Sequence, residues 1–165
     1  MPRLTSDEIE DFLAQTPGVP ARIGTIDAGG APSVVPIWFL HRDGSIFLTP
    51  RARSAWWADL QRDPRICLSI DEDPLPYRKV TIRGEVEVLH PVGDDDAWRE
   101  TYRDLAARYV GREGADRYVD ATIDEPRALL TVRLDRAEVT TWRMPVQGED
   151  PSGIWAGRYY GADPS

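Results

Sequence analysis

Seven short runs of alternating or β-branched residues, each bounded by turn-forming residues, restrict this chain to a largely antiparallel β fold. They are 21–27 (ARIGTID), 33–41 (SVVPIWFLH), 45–49 (SIFLT), 65–71 (RICLSID), 77–89 (YRKVTIRGEVEVL), 128–134 (ALLTVRL) and 138–143 (EVTTWR). Gly29-Gly30 turns the first run into the second. Asp43-Gly44, a pair suited to positive φ at both central positions of a tight hairpin, returns the second run into the third. Pro36 cannot donate to a ladder, so its strand belongs at an edge or at a bulge, with part of its backbone left to meet another group. Gly84 permits a bend in the long run 77–89, and strands that bend this way close barrels. The expected fold is α+β, mainly β: a small barrel of six to seven mostly antiparallel strands with helices inserted between them.

Three segments change period. Residues 5–15 form a short amphipathic helix, with Thr5 and Glu8 spaced as a capping box and Ile9, Phe12 and Leu13 on one face. In 51–62 (RARSAWWADLQR), Trp56 and Leu60 are four apart and the first turn follows Arg53-Ser54. Residues 97–111 carry Trp98, Tyr102, Leu105 and Tyr109 at helical spacing, and a shorter helix is expected over 115–121. Asp94-Asp95-Asp96 reads as a cap for the positive end of the third helix rather than as a metal site, since no other ligands accompany it.

At 165 residues the chain has the length of one domain, with the core over about 5–143 and an extended tail over 144–165 that holds Trp155, Tyr159 and Tyr160. Those aromatics need a surface to cover them, such as a partner subunit. No apolar run approaches the ~18 residues of a membrane span. A net charge of -8 lacks the basic footprint of a nucleic-acid binder. One cysteine cannot close an internal disulfide and the first residues have no apolar signal core, so a reducing cytoplasm is the expected compartment.

Several chemistries lack their residues. There is no G-x-G-x-x-G after the first strand and no phosphate-binding P-loop. His41, His90 and Cys67 are too few for an all-protein zinc site, and no metal is indicated. His41 has no nucleophile motif near it and is expected at the surface or in a hydrogen bond; Cys67 is expected to pack as a small side chain. No catalytic residue is identified. What remains is the junction of the third strand and second helix, where Thr49, Arg51, Arg53 and Ser54 meet the backbone N–H groups of a helix start. This is a phosphate cradle, or else two arginines solvating a loop.

Three ordered segments, 24–39 (G-T-I-D…G-A-P…V-V-P-I-W-F), 45–54 (S-I-F-L-T…R-A-R-S) and 60–71 (L-Q-R-D-P-R-I-C-L-S-I-D), followed by YRKVTIRGEVEV, resemble the pyridoxamine 5'-phosphate oxidase-like superfamily of flavin and deazaflavin oxidoreductases. Within it the chain is most similar to the group that uses the deazaflavin coenzyme F-420, with FMN-using members next. The resemblance implies a split β-barrel that forms a homodimer, with cofactor sites at the subunit interface and a small-molecule electron acceptor. It implies that Val35, Pro36, Ile37 and Trp38 lie along the cofactor ring, that Thr49, Arg51, Arg53 and Ser54 hold its phosphate-bearing tail, and that Arg78 and Lys79 reach the tail or an anionic extension. Trp142 and the aromatic tail would close the site from the second subunit. Where members commonly carry S-x-K-x-x-N-L, this chain has Ser54-Ala55-Trp56-Trp57-Ala58-Asp59-Leu60, with Trp56 for the lysine and Asp59 for the asparagine. Losing a cation and gaining an acid there would weaken anion binding by ~1–3 kcal/mol. Trp56, with Trp57 beside it, either packs the helix on the barrel or stacks on a ring. The implied activity is hydride transfer from reduced F-420 to a conjugated acceptor; the alternatives are an FMN-dependent oxidoreductase, or a non-catalytic protein that binds a cofactor, pigment or haem.

Overall fold

The computed structural model describes residues 2–150. Trp155, Tyr159 and Tyr160, expected to seek cover, lie outside the described residues. Helix α1 (Ser6–Ala14) opens as its spacing predicts: the Glu8 N–H donates to Thr5 Oγ1 (3.2 Å) and the Thr5 N–H to the Glu8 carboxylate (2.7 Å). Its apolar face sends Phe12 and Leu13, both fully buried, into the core. The strands are β1 (Ala21–Ile26), β2 (Pro32–Ile37), β3 (Leu40–Arg42), β4 (Ser45–Leu48), β5 (Arg65–Asp71), β6 (Lys79–Glu85), β7 (Glu87–His90), β8 (Leu129–Arg133) and β9 (Glu138–Trp142). Helix α2 (Ala55–Arg62) links β4 to β5 and α3 (Arg99–Ala121) links β7 to β8.

All strand pairs are antiparallel, in a five-stranded sheet ordered β2-β1-β5-β6-β9 and a four-stranded sheet ordered β3-β4-β8-β7. Between them, Ile23, Ile46, Leu48, Leu68, Ile70, Val80, Ile82 and Leu130 form the core, closed by α1 and by Trp57 and Leu60 of α2. This is a split β-barrel. Pro36 sits on β2 at the edge of its sheet, where the missing N–H costs no ladder bond. The β3–β4 hairpin turns on Asp43 (φ 50°) and Gly44 (φ 66°).

Among the described residues nine strands replace the expected six to seven, because two long runs each cross from one sheet to the other. Residues 33–41 divide into β2 and β3 at Trp38 and Phe39. There the Phe39 N–H and carbonyl meet the Tyr109 hydroxyl (3.1 and 3.2 Å) and the carbonyl also accepts from Arg108 (3.0 Å), so α3 takes the place of a ladder. The run 77–89 divides at Val86, whose N–H turns to the Pro64 carbonyl (2.9 Å). Burial alternation breaks at both corners, with Phe39 and Leu40 both buried and Val88 and Leu89 both exposed, but the apolar residues run on in sequence without a turn signal to mark the division.

The two expected helices after β7 are present as the two parts of α3, separated by a break at Gly111 (φ 73°, ψ 167°), backbone that favours glycine. The three aspartates do not cap it, because a 3-10 turn (Asp95–Trp98) intervenes. Asp94 instead bonds His90, Asp96 pairs with Arg99 (2.7 Å), and Asp95 accepts the Arg127 N–H (2.8 Å). The His41 side chain is buried rather than at the surface, 3.6 Å from Glu10; burial, aided by Arg108, lowers its pKa despite Glu10 and Asp43. Among the described residues no helix is long and apolar enough to cross a membrane.

Candidate functional site

The corner between β2 and β3 faces the β4–α2 loop across a cavity of about 360 Å³. Pro36, Ile37 and Trp38 line one side and Thr49, Arg51, Ser54 and Trp56 another; α3 adds Tyr102, Leu105 and Tyr118, and Pro20 and Arg127 complete the wall. Among the described residues two arginines line it and no carboxylate does, in a chain whose net charge is -8.

Each wall is held from outside. The Trp38 ring stacks on Tyr109 (centroids 4.9 Å apart, planes within 3°) and meets Tyr118 at 5.2 Å. Tyr109 is fixed in turn by Arg108, a buried guanidinium that donates to the Gln15 carbonyl (3.2 Å), the Phe39 carbonyl (3.0 Å) and the Tyr109 hydroxyl (3.0 Å). Gly18 lies against this clamp: a Cβ there would stand 2.9 Å from Tyr109 Cε1 and 3.0 Å from Arg108 Cζ. Gly18→Ala should therefore lower stability by about 1–3 kcal/mol through overpacking. A thermal melt unchanged from that of the parent protein would contradict this.

The β4–α2 loop is tied to the segment before β8. Arg51 and Arg127 face each other in an isolated antiparallel bridge, flanked by bonds from the Ala52 N–H to the Pro126 carbonyl (2.8 Å) and from the Ala128 N–H to the Pro50 carbonyl (3.1 Å). Arg51 pairs with Glu125 (2.9 Å) and reaches the Tyr118 hydroxyl (3.4 Å). Burial raises the Tyr118 phenol, but Tyr102 and the guanidiniums of Arg51 and Arg127 more than offset it and the net shift is downward. Arg127 is buried, donates from Nη1 to the Thr49 carbonyl (3.0 Å) and lies 4.4 Å above the Tyr102 ring. Ser54 stands at the N-cap of α2, where its side chain makes no capping bond.

The cavity thus gathers seven of the twelve residues singled out in the sequence: Pro36, Ile37, Trp38, Thr49, Arg51, Ser54 and Trp56. The other five are not among its lining. Val35 packs on the core, Trp57 is buried within it, and Arg53 is exposed with no hydrogen bond or ion pair among the described residues. Arg78 is held by Glu72 (2.8 Å) and Gln15 (3.1 Å) over the Phe12 ring, and Lys79 lies opposite Trp142 in the β6–β9 ladder. Asp59, expected to repel an anion, is buried away from the cavity. The bond from Arg62 (2.9 Å), with a second from Thr25 (2.9 Å), lowers its pKa and answers its charge. Pro20, Tyr102, Leu105, Tyr118 and Arg127 were not anticipated: the helical pattern marked Tyr102 and Leu105 only as an apolar face, and nothing local marks Arg127.

The family model described as pyridoxamine 5'-phosphate oxidase matches residues 5–141. The chain belongs to this family. A search of curated proteins finds no match. Solved structures share the fold at low identity. The conserved hypothetical protein Rv2991 from Mycobacterium tuberculosis is 22% identical with a TM-score of 0.69, over 92% of this chain and 95% of that one. An F-420 reductase is 21% identical with a TM-score of 0.57, over 78% and 94%. HutZ, the haem storage protein from Vibrio cholerae, is 16% identical with a TM-score of 0.60, over 82% and 94%. At these identities the likeness concerns the pyridoxamine 5'-phosphate oxidase-like split barrel, and function rests on the site.

A flavin-type cofactor fits the residues present. Trp38, Trp56, Tyr102 and Tyr118 supply flat apolar walls, and the two arginines, of which only Arg51 is paired with an acid, supply net positive charge. Haem would find no histidine ligand here, since neither His41 nor His90 lines the cavity.

Proposed function

We propose that this protein is an oxidoreductase that binds coenzyme F-420 in the cavity and delivers hydride to a conjugated small-molecule acceptor. The observation that carries the reading is the convergence of the β2 corner and the β4–α2 loop on one acid-free, two-arginine cavity. When bound, the deazaflavin supplies a two-electron hydride donor, so the protein needs no nucleophile or acid/base triad of its own. Its residues bind and orient. Pro36, Ile37 and Trp38 present the edge-strand backbone and an indole to the ring; Thr49, Arg51 and Ser54 receive the anionic tail. Tyr109 and Arg108 keep Trp38 from rotating, which fixes the slot in which donor and acceptor must align. Trp56 lines the cavity, which supports stacking on a ring over a purely structural role.

A second copy of the chain covers the open side in this proposal. Val34 shares the outward face of β2 with Pro36 and is 65% exposed, an apolar edge leading to the cavity mouth. The test of activity is oxidation of chemically reduced F-420, followed by absorbance, across a panel of conjugated acceptors. Acceleration by at least one acceptor is expected; binding without turnover of any acceptor would assign the protein to carriage of the cofactor.

A further inference from the structure

We propose that Arg127 is an anion-binding residue, which with Arg51 grips a phosphate or equivalent oxyanion of the ligand at the inner wall of the cavity. This deepens the deazaflavin reading and rests on it for the identity of the ligand.

Arg127 is 6% exposed, and its guanidinium makes a single hydrogen bond, Nη1 to the Thr49 carbonyl. Its Nε and Nη2 are buried without a partner, and no carboxylate pairs with it among the described residues. A guanidinium cannot discharge by losing its proton, so an unneutralised one in the interior is an unmet demand for an anion. Arg108 shows the contrast. It is equally buried and also lacks a carboxylate, and its Nη2 has no partner, but its Nε and Nη1 make three bonds to protein groups and it does not line the cavity, so it serves as a clamp.

The neighbours of Arg127 sharpen the demand. Directly opposed residues in an antiparallel bridge project to the same side, which sets Arg51 beside Arg127. Glu125 answers Arg51 alone, leaving one positive charge in excess. The Tyr102 hydroxyl, also buried and beside Tyr118, adds a neutral donor; burial pushes its phenol up and keeps the proton on it. Two guanidiniums and a phenol, with the Thr49 and Ser54 side chains lining the same cavity, match the several acceptor oxygens of a phosphate.

The experiment compares the wild type with Arg127→Met and Arg127→Gln in two measurements. The first is fluorescence titration with F-420 and with the same chromophore lacking its phosphate tail. The second is the thermal shift produced by inorganic pyrophosphate. Both variants should bind F-420 at least about tenfold more weakly while holding the tail-less chromophore within about twofold. Pyrophosphate at about ten times its Kd should raise the wild-type Tm by roughly 3–6 °C and leave the variants unshifted. Either variant suffices if the other does not fold, as judged by near-UV circular dichroism. Equal F-420 affinity in wild type and variants would overturn the anion site and leave the deazaflavin reading standing. An Arg127-dependent pyrophosphate shift in a protein that binds neither chromophore would uphold the anion site and defeat that reading. A pyrophosphate shift that persists in both variants would also overturn Arg127 as the anion site.

Discussion

Arg108→Ala is expected to lower the free energy of unfolding by about 3–5 kcal/mol, the range for opening a large buried cavity and leaving two carbonyls and a hydroxyl without their donor. The guanidinium joins three parts of the chain: the end of α1 through the Gln15 carbonyl, the β2–β3 corner through the Phe39 carbonyl, and α3 through its own backbone and the Tyr109 hydroxyl. It also lies 4.1 Å over the Phe39 ring, one of the largest fully buried side chains. Alanine removes the bonds and the packing together. Arg108→Met keeps most of the volume and should recover about 1–2 kcal/mol of the loss, since only the polar part is then missing. Urea denaturation of the three proteins measures both. A loss below about 1 kcal/mol for the alanine variant would show that the corner is held by other contacts.

Arg51→Glu should weaken cofactor binding by a factor of about 100 or more, while changing stability by less than about 1 kcal/mol. The side chain is about half exposed (46%), so its ion pair with Glu125 contributes little to folding. At the cavity the substitution acts in three ways. It removes one of the two lining cations, it places a second acid beside Glu125, and it sets a carboxylate opposite Arg127, where the chain itself would satisfy that guanidinium. The neutral Arg51→Gln should fall between, at about tenfold. Titration with F-420 of variants shown to melt like the wild type checks the order. Affinity within about threefold for Arg51→Glu would remove Arg51 from the site.

Local signals carried much of the architecture. The Thr5–Glu8 box, the Asp43-Gly44 hairpin, the edge position of Pro36 and the interruption at Gly111 each depend on a few neighbouring residues, and each has its counterpart in the structure. The two strand divisions do not have such signals, because the bonds that replace the ladder come from Tyr109, Arg108 and Pro64, distant in sequence. The same limit governs the site. Trp56 and Trp57 are equivalent in composition but point about 100° apart on α2, so one lines the cavity and the other enters the core. Arg78 precedes a long strand, as the resemblance requires, yet Glu72 and Gln15 engage it elsewhere. Arg127 lies 78 residues from the Thr49 carbonyl it binds, in a segment with no motif, and only the fold brings it to the cavity.

The central claim is that the cavity between the β2 corner and the β4–α2 loop holds a deazaflavin. It is tested most directly by titrating the purified protein with coenzyme F-420 and, separately, with FMN, following tryptophan and chromophore fluorescence. The account predicts saturable binding of the deazaflavin at about micromolar concentration, with Trp38 and Trp56 emission quenched, and weaker binding of FMN. Absence of saturable F-420 binding, whether or not FMN binds, would contradict it.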